Sequence, residues 1–111
     1  MSAEFPKTIP FPLRLPWVVE DNGKALEAEL KRELRTDGIL YGKEIKAVAG
    51  RIDCDDVLFI VDDPTHSLAV VHLTWSGKTD PNKGWPFTTL YRNWEAWKSE
   101  CMVPDAEDYE V

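Results

Sequence analysis

The sequence predicts an α+β domain, a small antiparallel sheet built on a central hairpin (57–61 with 68–75) and packed with two or three helices. Three observations predict it. Val57–Val61 and Leu68–Trp75 are β-rich runs on either side of the turn-forming stretch Asp62-Asp63-Pro64-Thr65-His66-Ser67. Leu26, Leu30 and Leu34 recur at helical spacing. The 111 residues, 43% of them hydrophobic, suffice for one domain with one core.

Residues 5–17, FPKTIPFPLRLPW, place prolines at 6, 10, 12 and 16. Proline cannot donate to a ladder and breaks helices, so the stretch reads as an extended arm. Phe11, Leu13, Leu15 and Trp17 alternate with it, which favours an arm (1–20) packed on the domain over a Pro-rich ligand for an aromatic groove. Asp21-Asn22-Gly23 is a helix-start signal, followed by a helix over Lys24–Arg35 with Glu27 and Lys31 as an i,i+4 pair. In Lys43–Ile52, residues Ile45, Val48, Ala49 and Ile52 fall at i, i+3, i+4 and i+7, a helical period, although Gly50 and the β-branched residues oppose it.

The hairpin follows. A register pairing Val61 with Leu68 also pairs Val57 with His72. It sets Val57, Phe59, Val61, Leu68, Val70 and His72 on one face, with Leu58, Ile60, Ala69, Val71, Leu73 and Trp75 on the other. Both faces are apolar, as in the covered centre of a sheet. Ser76–Pro86 is a turn-rich loop, Phe87–Tyr91 a short strand, and Arg92–Met102 a helix that Pro104 ends. Residues 104–111 form an acidic tail.

The formal net charge is −7, with Asp53, Asp55, Asp56, Asp62 and Asp63 clustered in the hairpin region. Nucleic acid and anionic membranes need a basic footprint and are excluded as partners. No apolar run reaches the ~20 residues that span a bilayer, and no signal-peptide pattern opens the chain, so a cytoplasmic setting is expected. Two cysteines, Cys54 and Cys101, suit a reducing compartment as buried thiols better than a single bridge.

Of the residues that carry chemistry, the same register sets Asp55 opposite Thr74 and beside the Val57–His72 pair. An Asp55/His72/Thr74 cluster would tune an imidazole for binding or proton transfer. The competing reading, which carries more weight, is a core histidine satisfied by Asp55 whose loss would destabilise the domain. Metal ligation lacks support, because His66, His72, Cys54 and the aspartates show no CxxC, HxxxH or EF-hand spacing. No catalytic residue is assigned and no cofactor expected: nucleophile-elbow, dinucleotide and P-loop motifs are all missing. Five tryptophans in so short a chain either fill its core or, at Trp75 and Trp85, flank a binding surface.

The runs DCDDVLF (Asp53–Phe59), VVHLTWSGK (Val70–Lys78) and WPFTTLYRNWEAW (Trp85–Trp97) resemble a group of small bacterial single-domain proteins of about this length. The resemblance spans roughly Gly42–Trp97 and implies a shared fold with no activity attached. In size and charge the chain is also similar to small immunity and antitoxin-type inhibitors, an analogy at that level only.

Three functions follow as expectations. The first is a non-catalytic binding domain that recognises another protein, a basic one by charge, in an immunity or inhibitor-type role. The second is a small-ligand binder or enzyme using Asp55, His72 and Thr74 with Trp85 as lid. The third is a homodimer that shields a sheet face or edge through self-association.

Overall fold

The structure, a computed structural model, describes residues 9–20, 23–34, 36, 38–78 and 87–110. Five strands form one antiparallel sheet in sequential order: β1 (Trp17–Val19), β2 (Ile45–Arg51), β3 (Asp56–Val61), β4 (Leu68–His72) and β5 (Phe87–Tyr91). Helix α1 (Gly23–Glu33) lies on one face. The other face carries a helical segment made of α2 (Trp94–Trp97), a π turn (Lys98–Met102) and α3 (Val103–Glu110). Among the described residues no helix is long and apolar enough to cross a membrane.

The α+β architecture matches the sequence reading and a hairpin forms from β3 and β4, but its second strand ends at His72 and not at Trp75, and the register is shifted by one residue. Val61 donates its N–H to Ser67 O at 2.9 Å, and the pairs run Ile60–Leu68, Phe59–Ala69, Leu58–Val70, Val57–Val71 and Asp56–His72. The connection tightens because Asp63 caps it, accepting from Thr65 N and His66 N at 3.0 Å and from Thr65 Oγ1 at 2.8 Å. Lys43 Nζ approaches the same carboxylate at 2.6 Å. Side chains alternate, so a slip of one exchanges the facing partners. Val57, Phe59, Val61, Ala69, Val71 and Leu73 therefore share the α1 side, while Leu58, Ile60, Leu68 and Val70 share the opposite side with Asp56 and His72.

Segment 45–51 is a strand, against the helical period. A β-bulge between Ala47 and Ala49 shifts the phase, putting Ile45 and Ala47 in one core and Val48 and Ala49 in the other. That phase change, on a strand buried on both sides, imitates the i, i+3, i+4 spacing. β1 pairs only with the far half of β2, and α1 closes the rest of that edge: Ala47 N donates to Glu27 Oε2 at 3.1 Å. The approach is close enough to require glycine, since a Cβ on Gly23 would lie 2.7 Å from Ala47 O. Asp21, Asn22 and Arg35, expected at the ends of this helix, lie outside the described residues.

Leu26, Leu30 and Leu34 pack α1 on the sheet as the periodicity predicts. On the other face Phe11 stacks on Trp97 with ring centroids 6.1 Å apart, and Trp17 meets Trp97 edge-on at 5.3 Å. The arm is thus a packed layer from residue 9 onward. Pro104 does not end the helix. Val103 N reaches back to Lys98 O across the π turn, which places Pro104 in the first turn of α3, where a missing N–H costs nothing. Nor does the acidic tail stand apart: Ala106 is fully buried, and Asp105 Oδ2 accepts from Trp17 Nε1 at 3.0 Å. Both apolar faces are thereby covered within one chain, which removes the observation that motivated a shielding homodimer.

Candidate functional site

Two polar constructions meet where β4 leaves the sheet, one on each face. On the face of the C-terminal segment lies a cleft of about 220 Å³ between the ends of β2 to β5 and the helical stretch Glu100–Asp105. Its lining includes Arg51, Asp56, His72, Tyr91, Glu100, Cys101 and Asp105. The backbone bonds Val61 N–Ser67 O and Leu73 N–Asp55 O make His72 and Asp56 a non-hydrogen-bonded cross-strand pair, in which side chains lie closest. His72 Nδ1 is accordingly 2.8 Å from Asp56 Oδ1.

This replaces the expected cluster. Asp55 is exposed at the start of the hairpin and, among the described residues, gives only its backbone carbonyl, to Leu73 N. Thr74 lies beyond β4 and bonds to Glu33. His72 keeps 42% of its side chain exposed, so it is no core histidine. The one-residue slip accounts for all three: it substitutes Asp56 for Asp55 and leaves Thr74 outside the ladder.

Across the cleft, Arg51 is fully engaged. Its Nε and Nη2 each lie 2.8 Å from Asp53, and Nη1 is 3.2 Å from Asp105. Hydrogen bonding to Asp53, and then the charge of Asp105, raise its pKa further. Cys101 donates to Asp105 Oδ2 at 3.5 Å, and burial, reinforced by that carboxylate, pushes its thiol up to about 12. Burial and the neighbouring Cys101 likewise raise Tyr91. Neither group is an activated nucleophile at neutral pH. Cys54 and Cys101 are both free; Cys54 is exposed where a buried thiol was expected. Among the described residues no cluster of His, Cys, Asp and Glu is placed to hold a metal ion.

The second construction was not anticipated. Glu29 and Glu33, neighbours on α1, are 2% and 1% exposed. Glu33 Oε1 accepts from Thr74 N and Thr74 Oγ1, and Oε2 from Trp75 N, each at 2.9 Å. Glu29 Oε2 accepts from Gly77 N at 3.0 Å, while Oε1 takes Arg32 Nη2 at 2.7 Å. Burial, and then the neighbouring Glu29 carboxyl, raise the pKa of Glu33; Glu33, with Arg32 and Gly77, holds that of Glu29 down, so the two carboxyls titrate as one interacting pair. Two glutamates one turn apart beside the leucine stripe were the available signal, and the leucines drew the reading instead.

What the pair holds is the segment Thr74–Gly77. Gly77 sits at φ 74°, where glycine is at ease. Trp75 sits at φ 58°, where a bulky residue is strained, and it is 49% exposed. Trp85, the other aromatic singled out, lies outside the described residues. No family model matches the chain, and neither the curated proteins nor the solved structures contain a match.

Proposed function

We propose that the chain is a non-catalytic binding domain that recognises another protein, in an immunity or inhibitor-type role, with Trp75 as its anchor. The carrying observation is the Trp75 loop. Two buried carboxylates hold the strained backbone that carries a half-exposed indole. Strain of this kind persists where the surroundings over-determine it and concentrates at functional positions. A loop already held in its bound shape loses less entropy on docking, and an exposed tryptophan is a typical centre of an interface. The net charge of −7 favours a basic partner and fast encounter at low salt. Part of the hairpin acidity is used internally, since Asp53, Asp56 and Asp63 each have a cationic or histidine neighbour. The free thiols fit a cytoplasmic setting.

The test compares wild type with Trp75→Gly as bait in extracts of the native source. The expected partner is retained at low salt, released at high salt and absent with the glycine variant. Glycine relieves the left-handed strain, so misfolding does not explain the loss, and melting curves check this. A partner set that Trp75→Gly leaves intact overturns the reading.

The cleft beside His72 favours a second reading, a small-ligand site. Its walls mix a histidine–carboxylate pair, aromatic rings and a guanidinium around one half-open cleft.

A further inference from the structure

We infer that the cleft between the sheet and the C-terminal helical segment binds one guanidinium group on a flexible stem, anchored by Asp56 and Glu100. The inference rests on the cleft being a binding site and names the ligand class.

Size is the first argument. Small-molecule and cofactor pockets usually run to roughly 300–1,000 Å³. The cleft, at about 220 Å³, holds a head group with its stem. Charge is the second. Three carboxylates, Asp56, Glu100 and Asp105, face one guanidinium, Arg51. Arg51 is consumed by Asp53 and Asp105, and Asp105 Oδ2 also takes Trp17 Nε1 and the Cys101 thiol. Glu100, and the second oxygen of Asp56 whose first faces His72, are left as the surplus negative charge among the described residues of the lining. His72 occupies Asp56 Oδ1, and no described residue takes Oδ2. An anion would meet this surplus with the one strong donor already engaged, so the ligand is a cation.

The walls decide which cation. Phe87 and Tyr91 present rings along one side, with Phe87 62% exposed at the rim. The same face of the molecule already places a cation over a ring, Lys98 Nζ standing 5.1 Å from the Phe11 centroid. A planar guanidinium stacks on such a ring, forks onto a carboxylate and gives up its hydration more readily than an ammonium. Its source is either an arginine side chain of a partner protein or a free guanidino compound.

Isotope-labelled full-length protein is titrated with four probes while the amide and ring signals of Asp56, His72, Thr89 and Cys101 are followed. The probes are N-acetyl-arginine N-methylamide, its lysine and citrulline counterparts, and free arginine. The blocked arginine is expected to shift these signals, with lysine weaker and neutral citrulline inactive. Free arginine binds more weakly if the natural source is a peptide, because its carboxylate meets acidic walls; equal or tighter binding points to a free guanidino compound. Asp56→Asn and the exposed Glu100→Gln should each weaken the blocked arginine by about tenfold, with unchanged spectra of the distant core. If citrulline matches arginine, or both variants bind as wild type does, the ligand class is wrong although the cleft is a site. If no probe at millimolar concentration moves these signals, the cleft is not a binding site and both statements fail.

Discussion

On the α1 side of the sheet, all four oxygens of Glu29 and Glu33 accept hydrogen bonds from the protein, and both residues are sealed from water. On the other side, a few residues away along β4, the His72–Asp56 pair keeps 42% and 27% of its side chains exposed. The two constructions use similar groups to opposite ends. The buried pair spends its acceptors on a loop and so shapes the backbone that carries Trp75. The open pair uses one carboxylate oxygen for orientation and leaves the remainder facing a cleft. Burial thus separates a carboxylate that builds the fold from one left open to the cleft.

The largest break in that comparison is Glu33→Ala. It strands the amides of Thr74 and Trp75 and the Thr74 hydroxyl, for a loss of about 2–4 kcal/mol in chemical denaturation. An effect below 1 kcal/mol would mean that water takes over these amides and that the loop is not held from within.

The buried pair also fixes how stability responds to pH. Because the folded pKa of Glu33 is raised, the native state binds a proton that the unfolded chain has released. Its contribution is full below the usual glutamate value and is lost as pH climbs from there through the raised folded value. Glu29 is lowered, so its contribution is lost as pH falls through its folded value. Stability should therefore decline above about pH 4.5, by at most about 1.4 kcal/mol per unit for one proton. Glu33→Gln should flatten that decline. Equal slopes in the two proteins would show that Glu33 is not the group behind the decline.

The sequence made much of this legible and hid the rest for local reasons. β-rich apolar runs on either side of 62–67 predicted the central hairpin, and the leucine repeat predicted α1, because packing alone dictates both. Register did not follow, since it turned on Asp63 capping a shorter connection, and one residue there exchanges Asp55 for Asp56 beside His72. The bulge at Ala47–Ala49 concealed β2 behind a helical period, and the π turn let a helix run through Pro104. Trp75 was singled out as an aromatic near a loop. That Glu29 and Glu33 hold it depends on contacts more than 40 positions apart in the chain, which no window of sequence displays.

Trp75→Gly sharpens the comparison from the functional side. Relief of a left-handed conformation in a bulky residue is worth about 1 kcal/mol or more. Against this stands the greater freedom that glycine gives the unfolded chain, up to about 1 kcal/mol. The variant should melt no lower than wild type, with Glu33 still holding the loop amides. A clear fall in Tm would show that the indole packs into the fold and is not held out for a partner.

The smallest effect is expected at His72. A core histidine bonded to a buried carboxylate would cost on the order of 2–4 kcal/mol to remove. The observed ring is nearly half exposed and faces a carboxylate that solvent reaches. Ion pairs in such settings contribute about 0–1 kcal/mol, less as salt rises. His72→Ala should therefore lower Tm by no more than about 4 °C, a shift that shrinks further in 0.5 M salt. The same substitution frees Asp56 to rotate, so the blocked arginine probe should bind less tightly even though one more carboxylate oxygen is available to it. A large loss of stability would return His72 to a structural role; unchanged stability with tighter arginine binding would show that His72 competes for Asp56 and does not orient it.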